Sequence, residues 1–135
     1  MKDNKKVILS MPVADTWTFM SFETALGKDV AVDWDVEKTF DAELAFNNLV
    51  KNDRKIKNYS EWPSWHHRMR NEAGKQGVVE LRFKADQRQY RVLSMFNGSM
   101  CLVVLCICYH KGPVWTPKDA ETIAIDRAKA PRKQV

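Results

Sequence analysis

Residues 89–130 read QYRVLSMF, NG, SMCLVVLCICYHKG, PVWTP and KDAETIAIDRAKA. The first run has strand character. It leads into Asn97-Gly98, two residues that tolerate the positive φ a type I′ hairpin turn requires. The run 100–109 is almost continuously apolar, the pattern of a strand covered on both faces. Thr116-Pro117 then predicts a helix start, with Thr116 as N-cap, Pro117 in the first helical position and Asp119 near the positive helix end. That helix stops before Pro131. Between strand and helix lies a polar trio, His110-Lys111-Gly112, at the end of a buried strand, where a site is expected.

Working outward, 77–85 alternates strictly. Val79, Leu81 and Phe83 share one side, and Glu80, Arg82 and Lys84 the other. Residues 86–88 turn into the strand at 89. Upstream, helical spacing starts from a cap at Asp33 or Asp35. It runs through Val36, Phe40 and Leu44 and, less strictly, Phe46, Leu49 and Val50. A shorter helix is predicted over 63–72, with Trp62, Trp65, His66 and Met69 on one face, followed by a turn at 74–77. Residues 5–11 read as a first strand that Pro12 ends. Residues 12–34 hold a short helix or strand in irregular structure, with a turn at Gly27-Lys28. One strand, helices, three consecutive strands and a helix make an α+β fold: a small antiparallel sheet with helices on one face.

The chain has 135 residues, 44% hydrophobic and 29% charged, the size and balance of one globular domain with its own core. No apolar run approaches the roughly 18 residues of a membrane helix. The start, MKDNKKVILSMPV, has too short an apolar stretch for a signal peptide, which predicts a cytoplasmic protein. Cys101, Cys106 and Cys108 fall in the apolar strand, Cys106 and Cys108 on one face and Cys101 on the other by alternation. An odd count on one strand argues against a disulfide framework and for small buried side chains. His66-His67 would diverge by about 100° on a helix and make a poor chelate. No phosphate-binding glycine loop, zinc motif or nucleophile elbow is present.

The net charge is +5, unevenly spread. Residues 78–135 hold ten Lys/Arg against five Asp/Glu, whereas 15–43 hold eight acids and two bases. A basic C-terminal half suits a polyanion such as nucleic acid, and equally an ordinary solvated surface. The acidic stretch, including Asp29, Asp33, Asp35 and Glu37, is expected to lie against the basic half and to shield it.

GVVELRF, YRVLSMF, VVLCICYHKG and a TP followed by an Ala-rich helix, in this order and spacing, resemble the RelE/HigB superfamily of toxin–antitoxin toxins, nearest its phage-derived HigB-like branch. The resemblance covers about residues 77–130, within a single domain 1–135 that has a divergent N-terminal segment 1–34 and a tail 131–135. It implies helices packed on a small curved antiparallel sheet. It also implies an endoribonuclease that cuts mRNA, commonly on the ribosome, and is neutralised by a separately encoded antitoxin, often a helix-turn-helix protein. Arg82 stands at the arginine of the "ELR" strand and Arg91 at that of the following "yR" strand. Lys111 stands at the first lysine of "F-x-KK", with Tyr109 for the Phe and Gly112 for the second lysine. Lys118 follows the "TP".

Such chemistry needs no metal or other cofactor. The RNA 2′-OH attacks the adjacent phosphorus, and the protein supplies a base, an acid and cations for the phosphorane. Arg82 and Arg91 on neighbouring strands would clamp a phosphate if they face one side; otherwise they are surface residues in cross-strand ion pairs. His110 is the natural titrating group, with Lys111 beside it, or else a loop histidine. Arg88 and Lys118 are candidate RNA contacts. Tyr90, Tyr109 and Trp115 offer stacking surfaces or core packing. The alternative function is a phage-derived protein on the same fold that binds RNA or protein without cutting.

Overall fold

The structure, a computed structural model, describes residues 5–8, 18–53, 67–69, 71–97, 101–111 and 113–129. The elements run β1 (Lys5–Ile8), β2 (Thr18–Glu23), α1 (Phe40–Asp53), β3 (His67–Arg68), α2 (Asn71–Lys75), β4 (Val78–Ala85), β5 (Arg88–Phe96), β6 (Cys101–Lys111), β7 (Val114–Thr116) and α3 (Ala120–Lys129). This is an α+β fold. Among the described residues, seven strands form one sheet of order β1-β2-β6-β5-β4-β3, with β7 also on β6.

The β4–β5–β6 meander is antiparallel, as the alternation and turn signals predict. The sheet as a whole is mixed, because β2 lies parallel to β6. One edge of β6 pairs with β5. The other is shared in series by β2, along residues 101–104, and β7, along 109–111. That central position explains the apolar run: residues 102–108 are all buried. A register shift at Leu93/Ser94 leaves Leu105 as the extra residue of β6. Such a bulge changes the side-chain phase, so the pairing places Cys101 on the Cys106 side, not opposite it as strict alternation predicts.

The expected helix start at 35 is corrected to Phe40. Thr39 is the cap: its Oγ1 accepts from Ala42 N at 3.1 Å, satisfying an otherwise orphan donor. The buried stripe is Ala42, Phe46, Leu49 and Asp53. Phe40 and Leu44 face outward, 81% and 51% exposed. Residues before the helix serve tertiary contacts instead. The Trp34 ring meets Phe46, Phe83 and Tyr90 at centroid distances of 5.7, 6.2 and 6.0 Å, and its Nε1 donates to Ala31 O at 3.0 Å. The face of the sheet carrying Phe83 and Tyr90 is therefore the one α1 covers.

Of the helix predicted over 63–72, residues 63–66 and 70 lie outside the described residues. His67–Arg68 is a strand on β4, not helix, and α2 begins only at Asn71. Gly74 is packed against Met69: a Cβ there would stand 1.9 Å from its carbonyl oxygen. Of the first strand predicted over 5–11, residues 5–8 form β1 and residues 9–11 lie outside the described residues, while the turn at Gly27 forms with φ +91.

The C-terminal helix start is also corrected. Thr116 closes β7, Thr116-Pro117 is a cis peptide, and α3 begins at Ala120 with Asp119 O accepting from Ile123 N at 2.9 Å. Ala120, Ala124 and Ala128 make its buried face, small enough to bring the helix axis close to β6. From α3, Arg127 donates to Leu105 O at 2.7 Å and to both carboxylate oxygens of Asp35, at 2.8 and 3.1 Å. Lys28 adds a third bond to Asp35 at 2.8 Å. Asp29 accepts from Ser21 Oγ and Ala31 N. Within the acidic segment, Asp35 thus ties the N-terminal half to Arg127 of the basic half, whereas Asp29 is held by partners in its own half.

Candidate functional site

The β4–β5 connection is a two-residue turn in which both Asp86 (φ 52) and Gln87 (φ 60) adopt positive φ. This is the twist a type I′ hairpin requires, here without glycine. Asp86 is held in it by the Thr39 hydroxyl, which donates to its carboxylate and so ties the turn to the start of α1. Beyond the turn, Gln89 pairs in register with His110, and His110 with Trp115. His110 and Lys111 are therefore strand residues in a β6–β7 hairpin, not the loop the sequence predicts. At this end of the meander opens a cleft of about 630 Å³, lined by Asp86, Gln87, Arg88, Gln89, Arg91, Tyr109 and His110.

Arg82 and Arg91 are register partners across β4 and β5, so their side chains leave the same face of the sheet. The alternation assigns no face to Arg91; the register does. Both guanidinium groups reach Glu80 Oε1, Arg82 through Nε at 2.8 Å and Arg91 through Nε at 3.8 Å. Glu80 is 5% exposed. Burial, then the neighbouring Arg82 charge, pull Arg91 below the ordinary guanidinium value, and Glu80 opposes them. Arg91 NH2 also donates to Gln89 Oε1 at 3.0 Å, and NH1 to the Tyr90 carbonyl at 3.4 Å. Arg91 is thus largely engaged by protein acceptors.

Arg88 is the more accessible cation. Its Cζ stands 4.6 Å from the centroid of the Tyr109 ring, a cation–π arrangement. Its NH1 donates to Tyr90 Oη at 3.5 Å. That bond, with a contribution from Glu37, favours the charged guanidinium. Tyr90 itself is fully buried and stacks on Phe83 at 4.9 Å. It props Arg88 from below and offers no ring to a base. Tyr109 is half-buried at the cleft wall.

His110 lines the cleft with its ring 3.8 Å from that of Trp115, edge to face. Trp115 is half-buried and packs against the His110 ring. Lys118 is exposed before α3 and is not among the described residues lining the cleft. Of the predicted residues, the fold brings Arg88, Arg91 and His110 to one cleft. Arg82 joins Arg91 on one face, Trp115 supports His110, and Tyr90 and Lys118 stand apart from the cleft. The side chain of Lys111 lies outside the described residues. Two residues that sequence reading missed are Glu80 and Gln89. Glu80 was legible as the acid on the same strand side as Arg82; Gln89 gains meaning only from its register with His110.

Burial holds the Cys108 thiol well above its ordinary value, with Cys106 adding to the effect; both are inert core side chains. Among the described residues no three His, Cys, Asp or Glu side chains gather as metal ligands, and no helix is long and apolar enough to cross a membrane. Comparison of the chain with protein families, characterised proteins and solved structures returns no match.

Proposed function

We propose that the cleft takes single-stranded RNA and that the protein cuts it as a metal-independent endoribonuclease, the toxin of a RelE/HigB-type toxin–antitoxin pair. The observation that carries this reading is the clustering of Arg88, Arg91 and His110 around one cleft, with Arg82 register-paired to Arg91. Phosphate binding calls for cations that hold fixed directions, and the Glu80 and Tyr90 contacts fix those of Arg82 and Arg88. In the reaction, the 2′-OH oxygen bonds to phosphorus as the bond to the 5′-oxygen breaks. His110 is the cleft's imidazole and transfers the proton, while the arginines stabilise the phosphorane charge. The products are a 2′,3′-cyclic phosphate and a 5′-hydroxyl end. The protein acts in the cytoplasm, on mRNA and on the ribosome, and is held inactive by a separately encoded helix-turn-helix antitoxin.

Induction in a bacterium is expected to arrest growth and shorten mRNA. The purified chain is expected to leave cyclic-phosphate ends in the presence of a chelator, and Arg82→Ala/Arg91→Ala to abolish cleavage while staying folded. Full growth with a folded product, or full cleavage by the folded double variant, would remove this reading. The second reading, an RNA-binding protein that does not cut, draws on Arg91, whose donors are already engaged by Gln89, Tyr90 and Glu80. It predicts crosslinking to RNA with no new ends.

A further inference from the structure

Gln89 is exposed and lines the cleft beside His110, its register partner. Its side-chain carbonyl oxygen accepts from Arg91 NH2 at 3.0 Å. A guanidinium can only donate, so the opposite amide orientation would set donor against donor. Arg91 therefore fixes which end of the amide is inward. The end left for a ligand is the NH2 group, a pure donor.

From this geometry we infer that Gln89 reads a base in the cleft, and that it selects keto bases over amino bases. At the purine 6-position and pyrimidine 4-position, guanine and uracil present the acceptors O6 and O4 to such a donor, whereas adenine and cytosine place amino donors there that oppose it; adenine N7 and cytosine N3 still accept, so the discrimination is a matter of degree. Arg91 acts here as a positioning residue, holding the Gln89 amide in one orientation. The inference rests on the reading that the cleft takes RNA, but not on cleavage. Because Gln89 pairs with His110, the base it reads belongs to a nucleotide next to the phosphate that His110 faces.

The test is fluorescence anisotropy with the full chain and four labelled single-stranded 2′-O-methyl oligonucleotides, identical but for one base type: G, U, A or C. One neutral hydrogen bond at an exposed site is worth about three- to tenfold in affinity. The G and U probes are expected to bind tighter than A and C by that factor. Gln89→Leu is expected to erase the difference. Gln89→Glu keeps an oxygen for Arg91 and turns an acceptor outward, so it is expected to invert the order in favour of A and C while weakening all four probes. An inversion would not follow from a merely structural role. Equal binding of all four probes by the wild type, or a keto preference that survives in folded Gln89→Leu, would overturn this inference and leave the RNA reading standing. No binding to any probe would overturn both.

Discussion

Arg82 and Arg91 reach the same carboxylate oxygen, Oε1 of Glu80, from neighbouring strands. Two guanidinium groups on one sheet face repel each other; the buried acid offsets that repulsion and fixes where both point. Glu80→Gln keeps the shape and removes the charge. Breaking a buried pair costs about 3–5 kcal/mol. Here Arg82 is one-third exposed, and solvent screening lowers the expected loss to about 2 kcal/mol. Urea unfolding measures it, with Arg82→Ala in the Glu80→Gln background expected to recover part of the loss by relieving the repulsion.

Asp35 links the segment before α1 to α3. Burial works against its charge, but the hydrogen bonds from Arg127 and Lys28 outweigh it, so its carboxyl lies below the ordinary value of 3.8. A carboxyl lowered on folding stabilises the native state fully above its unfolded value, and that stability is lost as pH falls through the folded one. Asp35→Asn is therefore expected to be less stable than wild type at pH 7. The gap should close only below about pH 4. Denaturant titrations of both proteins from pH 7 to pH 3 measure the gap, and a gap that stays constant would mean that the pair is not its source.

Gly74 and Gly77 separate two reasons for glycine. At Gly74 a Cβ would collide with the Met69 backbone, whereas at Gly77 there is open space but φ is +82. Gly74→Ala is expected to cost more than 3 kcal/mol, as severe overpacking against backbone does. Gly77→Ala is expected to cost about 1 kcal/mol for left-handed strain. Thermal melting of the two variants should show the larger drop at Gly74.

Arg88 is the accessible cation of the cleft. If it meets an RNA phosphate, Arg88→Ala is expected to reduce the slope of log affinity against log salt by about 0.7, the single-strand value for one released counterion. Base preference should not change, because Gln89 remains braced by Arg91. Anisotropy titrations at several salt concentrations check both points together.

Much of the meander was legible because its signals are local. Strict alternation at 79–84, a turn at 86–87 and a doubly apolar run at 100–109 each depend on residues a few positions apart. The β4–β5–β6 order follows from them, and the Arg82 face with it. The phase of α1 was not legible: Phe40 and Leu44 have helical spacing, but capping at Thr39 and the docking of Phe46 on Trp34 and Phe83 set a different buried stripe.

What required the folded chain is contact between distant residues. Residues 18–21 lie parallel to β6, and residues 114–116 fold back on its far end. Together they make His110 a strand residue and fill the second edge of β6. Arg91 is ambiguous by alternation, because Tyr90, Val92 and Leu93 are all buried around it. Backbone pairing resolves its face and brings Gln89 against His110. Side-chain periodicity records which residues avoid water; hydrogen-bond register, which sets the neighbours across strands, leaves no such trace along the chain.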